Sequence, residues 1–404
     1  MDLIEAKFAK LGCDNAPGQE KLQKAAALEL RGEPISGTPV DFSHGDVDAH
    51  PPIPGAQDAF NAGYQVGGKQ AYTEYRGGKA TRADLAQKLS AYSGSVVDPD
   101  KNLILTPGTQ GALFLAMGSL VARGDRVAIV EPDYFANRKL VEFFEGELVP
   151  VRLNYEDSAD KAGLDLEQLE QAFASGVKLF LFSNPNNPTG VIYTREEVKA
   201  IGELASKYGV FVLADELYSR QIFDGRTYTH LAGLGVMDPE KLLTIIGPSK
   251  TESLSGYRLG VAYGSSTVIT RMEKLQAIVS LRCAGYCQAV FQTWFNEPDG
   301  WMADRIAQHQ AIRDDLCAVL REGGLKVRTT EGGSYLFAEM PELDVSIGDF
   351  AKIVRQLAGV TVTPGTEFGP QFTHHFRLNF SQNHAAAVEA VKRLIEVVNR
   401  YRKA

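Results

Sequence analysis

A chain of 404 residues, 44% hydrophobic and 23% charged, has the balance of a globular protein with one to three domains. Its formal net charge of -8 argues against a general nucleic-acid or anionic-membrane surface. The N-terminus "MDLIEAKFAKLGC" lacks the apolar core of a signal peptide, and no apolar run is long enough to span a bilayer.

In chain order, "GQEKLQKAAALELRG" (18–32) reads as helix, and the Gly, Asp and Pro of "DFSHGDVDAHPPIPGA" (41–56) read as loop. A rhythm then begins near residue 80. "TRADLAQKLSAYSG" reads as helix, "NLILT" as a buried strand and "GTQGALFLAMGSLV" as a helix opened by glycine. The apolar runs "RVAIV", "KLFLFS", "GVFVLA" and "LLTIIG" follow, several separated by helical stretches such as "TREEVKAIGELASKYG". Continuous apolar strands alternating with helices predict a mainly parallel sheet covered on both faces. After about residue 290 a long helix, "WMADRIAQHQAIRDDLCAVLREGG", precedes strands "SYLFAEM" and "HFRLNF" and a last helix, "AAAVEAVKRLIEVVNRYRK". Cys13, Cys283, Cys287 and Cys317 show no paired metal spacing, so no metal and a reduced, cytoplasmic compartment are expected.

Ligands of open α/β sheets bind beyond the carboxyl ends of the strands, which directs attention to the residue after each apolar run. "PGTQGA" follows the first run and is either an ordinary glycine turn or a phosphate-holding helix start. Tyr134 follows the next and is either packing or a ring wall. Asn187, in "NPNNPTG", either caps its own turn or faces a ligand. Asp215 ends a buried strand as an N-cap, an ion-pair partner or a functional carboxylate. Lys250, in "PSK", either reaches out to water or serves chemistry. The combination is not one that packing selects. It fits a planar, charged, phosphorylated aldehyde, pyridoxal 5'-phosphate. Lys250 would form the Schiff base and Asp215 would pair with the ring nitrogen. Asn187 and Tyr218 would face the phenolate oxygen, and Tyr134 the ring. Thr109, Gln110, Ser249 and Arg258 would hold the phosphate.

The motifs "SNPNNPTG", "ADELY", "SKTESLSGYRLG" and "FRLNF" occur in the order and approximate spacing of the class I/II aminotransferases. The chain resembles that family, the fold type I, aspartate aminotransferase-like pyridoxal-phosphate enzymes, from "HGDVDAHPP" to the last helix. The resemblance implies an α/β large domain over 55–290, with a mainly parallel sheet of the seven-stranded type. It implies a smaller α+β domain from 1–54 and 291–404. It makes Lys250 the Schiff-base lysine and proton shuttle, and Arg377 the clamp on the substrate α-carboxylate, aided by the Gly45 backbone. Tyr72 would reach the phosphate of a neighbouring subunit, which implies a homodimer with shared active sites. Two features depart from the pattern. Gly247 stands where many relatives carry a hydroxyl residue three before the lysine, and "GDVDAHPP" replaces a substrate-bordering loop, placing His44 and His50 nearby.

The expected reaction moves an amino group between an L-α-amino acid and a 2-oxo acid. The rival with the same fold is a lyase, decarboxylase or oxidase. A ligand-sensing regulator would carry an added DNA-binding module, against which stand the chain's acidity and a family resemblance that begins within its first fifty residues; a nicotinamide dehydrogenase would carry a "GxGxxG" after its first strand, and none follows it. Arg282 is a candidate reader of a distal substrate carboxylate, or else a solvated or ion-paired arginine. His44 and His50 either line a polar side-chain pocket or bond within their loop.

Overall fold

The computed structural model describes residues 2–11, 28–156 and 162–403. Cys13 and residues 18–27 of the helix expected at 18–32 lie outside them, and residues 28–32 are not helical.

Strand β1, Val40–Asp41, is an outlier in sequence, pairing far down the chain. The main sheet then forms from β2 (Leu103–Pro107), β3 (Arg126–Glu131), β4 (Glu147–Asn154), β5 (Gly163–Leu164), β6 (Leu179–Ser183), β7 (Phe211–Asp215), β8 (Leu242–Ile246) and β9 (Leu259–Gly264). Its spatial order is β2-β9-β8-β7-β6-β3-β4-β5. Strands β8, β7, β6, β3 and β4 run parallel to one another, whereas β9 is antiparallel to β2 and β8. The two-residue β5 adds an antiparallel edge to the seven longer strands.

Side chains of a strand alternate between faces, so a sheet covered on both sides needs apolar residues at every position. Ala128 and Val130, Phe180 and Phe182, Val212 and Ala214 enter one core. Val127 and Ile129, Leu179 and Leu181, Leu213, Leu243 and Ile245 enter the other. Helices Leu166–Ala174 and Arg195–Tyr208 close the first face, and Gly108–Leu120 and Ser266–Val279 the second. The Arg195–Tyr208 helix starts in a capping box of Thr194 and Glu197 and stops at left-handed Gly209, as "TREEVKAIGELASKYG" leads one to expect.

Further strands are β10 (Tyr335–Glu339), β11 (Val360–Thr361), β12 (Thr363–Pro364) and β13 (His375–Asn379). Antiparallel β10-β13-β12 packs with helices Trp301–Glu322, Ile347–Ala358 and His384–Tyr401 around one core. Val40 and Phe42 join that core, and β1 pairs in parallel with β11. The segment around residue 40 is thereby fixed against the C-terminal part of the chain. This brings Ser43 beside β13.

Candidate active site

Gly108, at φ +75°, turns the chain from β2 into its helix. A Cβ there would stand 2.5 Å from Arg258 Nη2, and a Cβ on Gly260 would stand 2.2 Å from the Gly108 carbonyl carbon. Both glycines are needed for close approach. Gly108 N–H donates to the Arg258 carbonyl at 2.9 Å, holding the arginine beside Thr109. Gly247 is likewise crowded. A Cβ would meet Thr109 Cγ2 at 2.9 Å, so no hydroxyl side chain fits there without displacement. Ser249 is buried and donates to the Leu259 carbonyl at 3.3 Å.

After β3, Tyr134 Oη donates to Gln110 Oε1 at 2.9 Å. After β6, Ser183 Oγ accepts from the Asn187 amide at 3.2 Å while itself bonding to buried Asp133. Burial raises the Asp133 carboxyl to about 8, against the pull of its bonds to Ser183 and Tyr134. At the end of β7, Asp215 Oδ1 accepts the Leu217 amide at 3.1 Å. Burial lifts Asp215 to about 6, opposed by that amide and by the charge of Lys250. Tyr218 Oη donates to Tyr335 Oη at 2.7 Å. Burial pushes Tyr218 well above the usual phenol value.

Arg377 arrives from β13. Nη1 donates to Asn187 Oδ1 at 3.1 Å and Nη2 to the Ser43 carbonyl at 2.9 Å. Its guanidinium lies 4.2 Å from the Tyr335 ring centroid and 5.0 Å from that of Phe368. Nε is buried with no hydrogen-bond partner.

One cavity of about 200 Å³ gathers Thr109, Gln110, Tyr134, Asn187, Asp215, Tyr218, Ser249, Lys250, Arg258 and Arg377. A larger groove of about 940 Å³, lined by Glu131, Arg152, Tyr155 and Phe372 among others, contains none of them. Gly45 does not line the cavity; it packs on Ser381, while its neighbour Ser43 contributes instead. Tyr72 and Arg282 lie elsewhere. Tyr72 is 78% exposed, and the Arg282 guanidinium sits 5.2 Å over its ring and 5.5 Å over that of Tyr75. His44 is exposed and bonds to the Gly45 carbonyl at 3.0 Å. His50 is buried against His309, with ring centroids 4.3 Å apart. Neither histidine lines the cavity. Sequence reasoning missed Ser43, Ser183, Ser255 and Tyr335, all of which do.

The residues fit pyridoxal phosphate. The Asp215 carboxylate, in a low-dielectric setting with one backbone donor, suits a cationic ring N–H. The glycine-lined turn beside Arg258 suits a phosphate. The unpaired Arg377 Nε suits a carboxylate.

An amine and a carboxylate at the carboxyl ends of a mainly parallel sheet, with an arginine fork brought against them from β13, define an α/β enzyme built for amino-group chemistry. Residues 39–394 match the family described as aminotransferase class I and II, and the chain belongs to that family. It is a transaminase. The crystal structure of an aspartate aminotransferase from Rhodobacter sphaeroides 2.4.1 is 61% identical, with a TM-score of 0.94 over 99% of this chain and 100% of that one. The aspartate aminotransferase of Sulfolobus acidocaldarius is 29% identical over 345 residues, 82% of this chain and 84% of that protein. Aromatic-amino-acid aminotransferase 2 of Thermococcus litoralis is 24% identical over 319 residues, 78% and 81% of the two chains.

Proposed function

We propose that this cavity binds pyridoxal 5'-phosphate and exchanges amino groups between a dicarboxylic L-α-amino acid and a 2-oxo acid. The observation that carries the reading is the presence of Lys250, Asp215 and Arg377 in one cavity. When bound, the cofactor supplies an aldehyde for the amine and a ring that accepts the electron pair freed at the substrate Cα. Asp215 holds a proton at the ring nitrogen. Asn187 donates to the ring oxygen through its NH₂, Tyr218 would do so once its hydroxyl turns from Tyr335, and Tyr134 covers a face of the ring. Thr109, Gln110, Ser249 and Arg258 hold the phosphate. Arg377, with Ser43 and the Gly45 segment beside it, fixes the substrate α-carboxylate. Lys250 Nζ would move the proton from the substrate Cα to the cofactor's former aldehyde carbon, on the far side of the substrate nitrogen.

The dicarboxylic preference is supported by the 61% identical Rhodobacter enzyme, an aspartate aminotransferase. A homodimer is supported by the exposed apolar side chains Tyr64, Val66, Tyr72, Ile278, Val279 and Leu281. Pairing there would bring Tyr72 and Arg282 to the partner's cavity. We read 55–290 as the cofactor-holding domain and 1–54 with 291–404 as the smaller one, consistent with separate apolar cores. No helix among the described residues is long and apolar enough to cross a membrane, and Cys283, Cys287 and Cys317 are free thiols, which suits a cytoplasmic setting.

The test is a half-reaction. With aspartate or glutamate alone, the cofactor spectrum should change once, releasing one equivalent of 2-oxo acid and no ammonia, carbon dioxide or peroxide. Lys250→Ala should abolish the change. Catalytic release of ammonia or peroxide would instead favour the lyase or oxidase reading.

A further inference from the structure

Asp133 lies between β3 and helix Phe135–Phe143, is buried and does not itself line the cavity. The β3–β6 pairing ends at Ile129 and Leu181, and beyond it the Asp133 carboxyl bridges the two strand ends. Oδ1 accepts the Tyr134 amide at 2.6 Å and is bonded to the Ser183 hydroxyl, while Oδ2 accepts the Ser183 amide at 3.0 Å. Ser183 Oγ in turn accepts the Asn187 amide at 3.2 Å. Asn187 Oδ1 is taken by Arg377, which leaves its NH₂ for the ring oxygen. The partners of Asp133 are thus two backbone amides and a hydroxyl, with no basic side chain among them. Burying a carboxyl on such terms costs stability, and packing alone does not call for it.

We propose that Asp133 is a positioning residue for the transfer reaction: through one carboxyl it fixes Tyr134, at the face of the ring, and Asn187, at its oxygen edge, relative to each other. The inference rests on the reading that the cavity takes pyridoxal phosphate. Geometry makes the acid specific. Each carboxyl oxygen faces a backbone N–H, which can only donate, so asparagine would set its NH₂ against one of them whichever way it lay. The clasp also survives protonation, towards which burial pushes this carboxyl. A proton on Oδ1 is donated to Ser183 Oγ, both amides still face oxygen, and Oγ has a second lone pair for the Asn187 amide. A separate tie, Asn186 Nδ2 to the Pro132 carbonyl at 3.1 Å, holds the two loops together when the carboxyl is altered.

Two variants test this. Asp133→Asn disrupts the clasp at its centre, and Ser183→Ala removes only the acceptor of the Asn187 amide. In the full-length, cofactor-free chain, hydrogen exchange of the Asn187 amide should speed up about fivefold or more in both. The Tyr134 amide should speed up in Asp133→Asn alone. With cofactor bound, a donor at the ring oxygen favours its charged form, so misplacing Asn187 should raise the midpoint of the pH-dependent visible absorbance by about half a unit or more in both variants. In Asp133→Asn/Ser183→Ala the shift should not exceed that of the larger single variant, because both act along one path. A lower melting temperature with unchanged midpoint and unchanged Asn187 exchange would make Asp133 merely structural and overturn the inference. So would additive shifts in the double variant. If Asp133→Asn does not fold, Ser183→Ala decides by the same two readings. A wild type that takes up no cofactor refutes the proposed function, and the exchange rates still show whether the clasp exists.

Discussion

Arg377 Nη1 bonds to Asn187 Oδ1 across 3.1 Å, joining β13 of the smaller sheet to the loop that follows β6 of the large one. With the Ser43 carbonyl on Nη2 and aromatic rings at 4.2 and 5.0 Å, the guanidinium plane is fixed before any substrate arrives. Lysine cannot reproduce a planar fork held this way. Arg377→Lys should therefore raise KM for the amino acid by about 10–100-fold, the loss of one or two charge-assisted hydrogen bonds, with a smaller change in kcat. Steady-state kinetics with the donor varied at saturating oxo acid gives the answer.

Asp215 illustrates a conflict between stability and chemistry. Its folded carboxyl titrates near 6, above the ordinary 3.8, so the folded chain binds that proton more tightly than the unfolded one. Stability is then lost as pH rises between those values, and the loss is complete above about 6. Asp215→Asn removes the cost. The cofactor-free variant should be more stable than wild type by about 1–3 kcal/mol at pH 7 and indistinguishable below pH of about 4, as read by urea unfolding. Its transamination should fall by orders of magnitude, because a neutral amide cannot hold a proton at the ring.

Five of the cavity residues were legible because each follows a continuous apolar run, and parallel strands deliver their ends to one edge. Thr109, Tyr134, Asn187, Asp215 and Lys250 are of this kind. Tyr335 was not legible. It sits inside an apolar strand, "SYLFAEM", where a tyrosine reads as packing, and its partner Tyr218 is 117 residues away. Strand β4 escaped because Pro150 interrupts it, and β9 because Gly260 and Gly264 make it look like loop. The β9 glycines are there for backbone approach, which only the pairing reveals. The placements of Tyr72 and Arg282 outside the cavity follow from the same limit: one chain does not say what a second would complete.

Gly108 and Gly260 separate local from backbone crowding. Ala at 108 meets the flexible end of Arg258 at 2.5 Å and must hold φ +75°. Gly108→Ala should fold, with cofactor affinity reduced about tenfold or more as Arg258 is displaced. Ala at 260 meets backbone at 2.2 Å, within the β2–β9 pairing. Gly260→Ala should instead lower the melting temperature sharply. Cofactor titration and thermal unfolding of both variants distinguish the two effects.

Lys139 and Glu367 form a buried ion pair at 2.5 Å between helix Phe135–Phe143 and the turn Gly365–Phe368. It ties Phe135, which lines the cavity, to Phe368, which backs Arg377. Lys139→Met leaves a buried carboxylate without this partner and should cost about 3–5 kcal/mol in urea unfolding. The double variant Lys139→Met/Glu367→Leu should recover most of it, because the pair is worth little more than well-packed apolar groups.

Arg282 carries the question of substrate. Its guanidinium rests over Tyr72 and Tyr75, away from its own chain's cavity, among exposed apolar side chains. It can therefore read a distal carboxylate only in a partner's cavity, and that geometry makes the idea testable by subunit mixing. Arg282→Ala alone should lose about 10–100-fold in kcat/KM for dicarboxylic amino acids and little for apolar ones. Lys250→Ala alone should be inactive. If the chain pairs as proposed, a mixed dimer would hold one cavity with an intact Lys250 facing an intact Arg282 from the other chain. Mixing the two variants should thus restore dicarboxylate activity, up to about half the wild-type rate per dimer. Unchanged activity of Arg282→Ala on aspartate would remove Arg282 from the site altogether. Loss without recovery on mixing would place its effect within its own subunit.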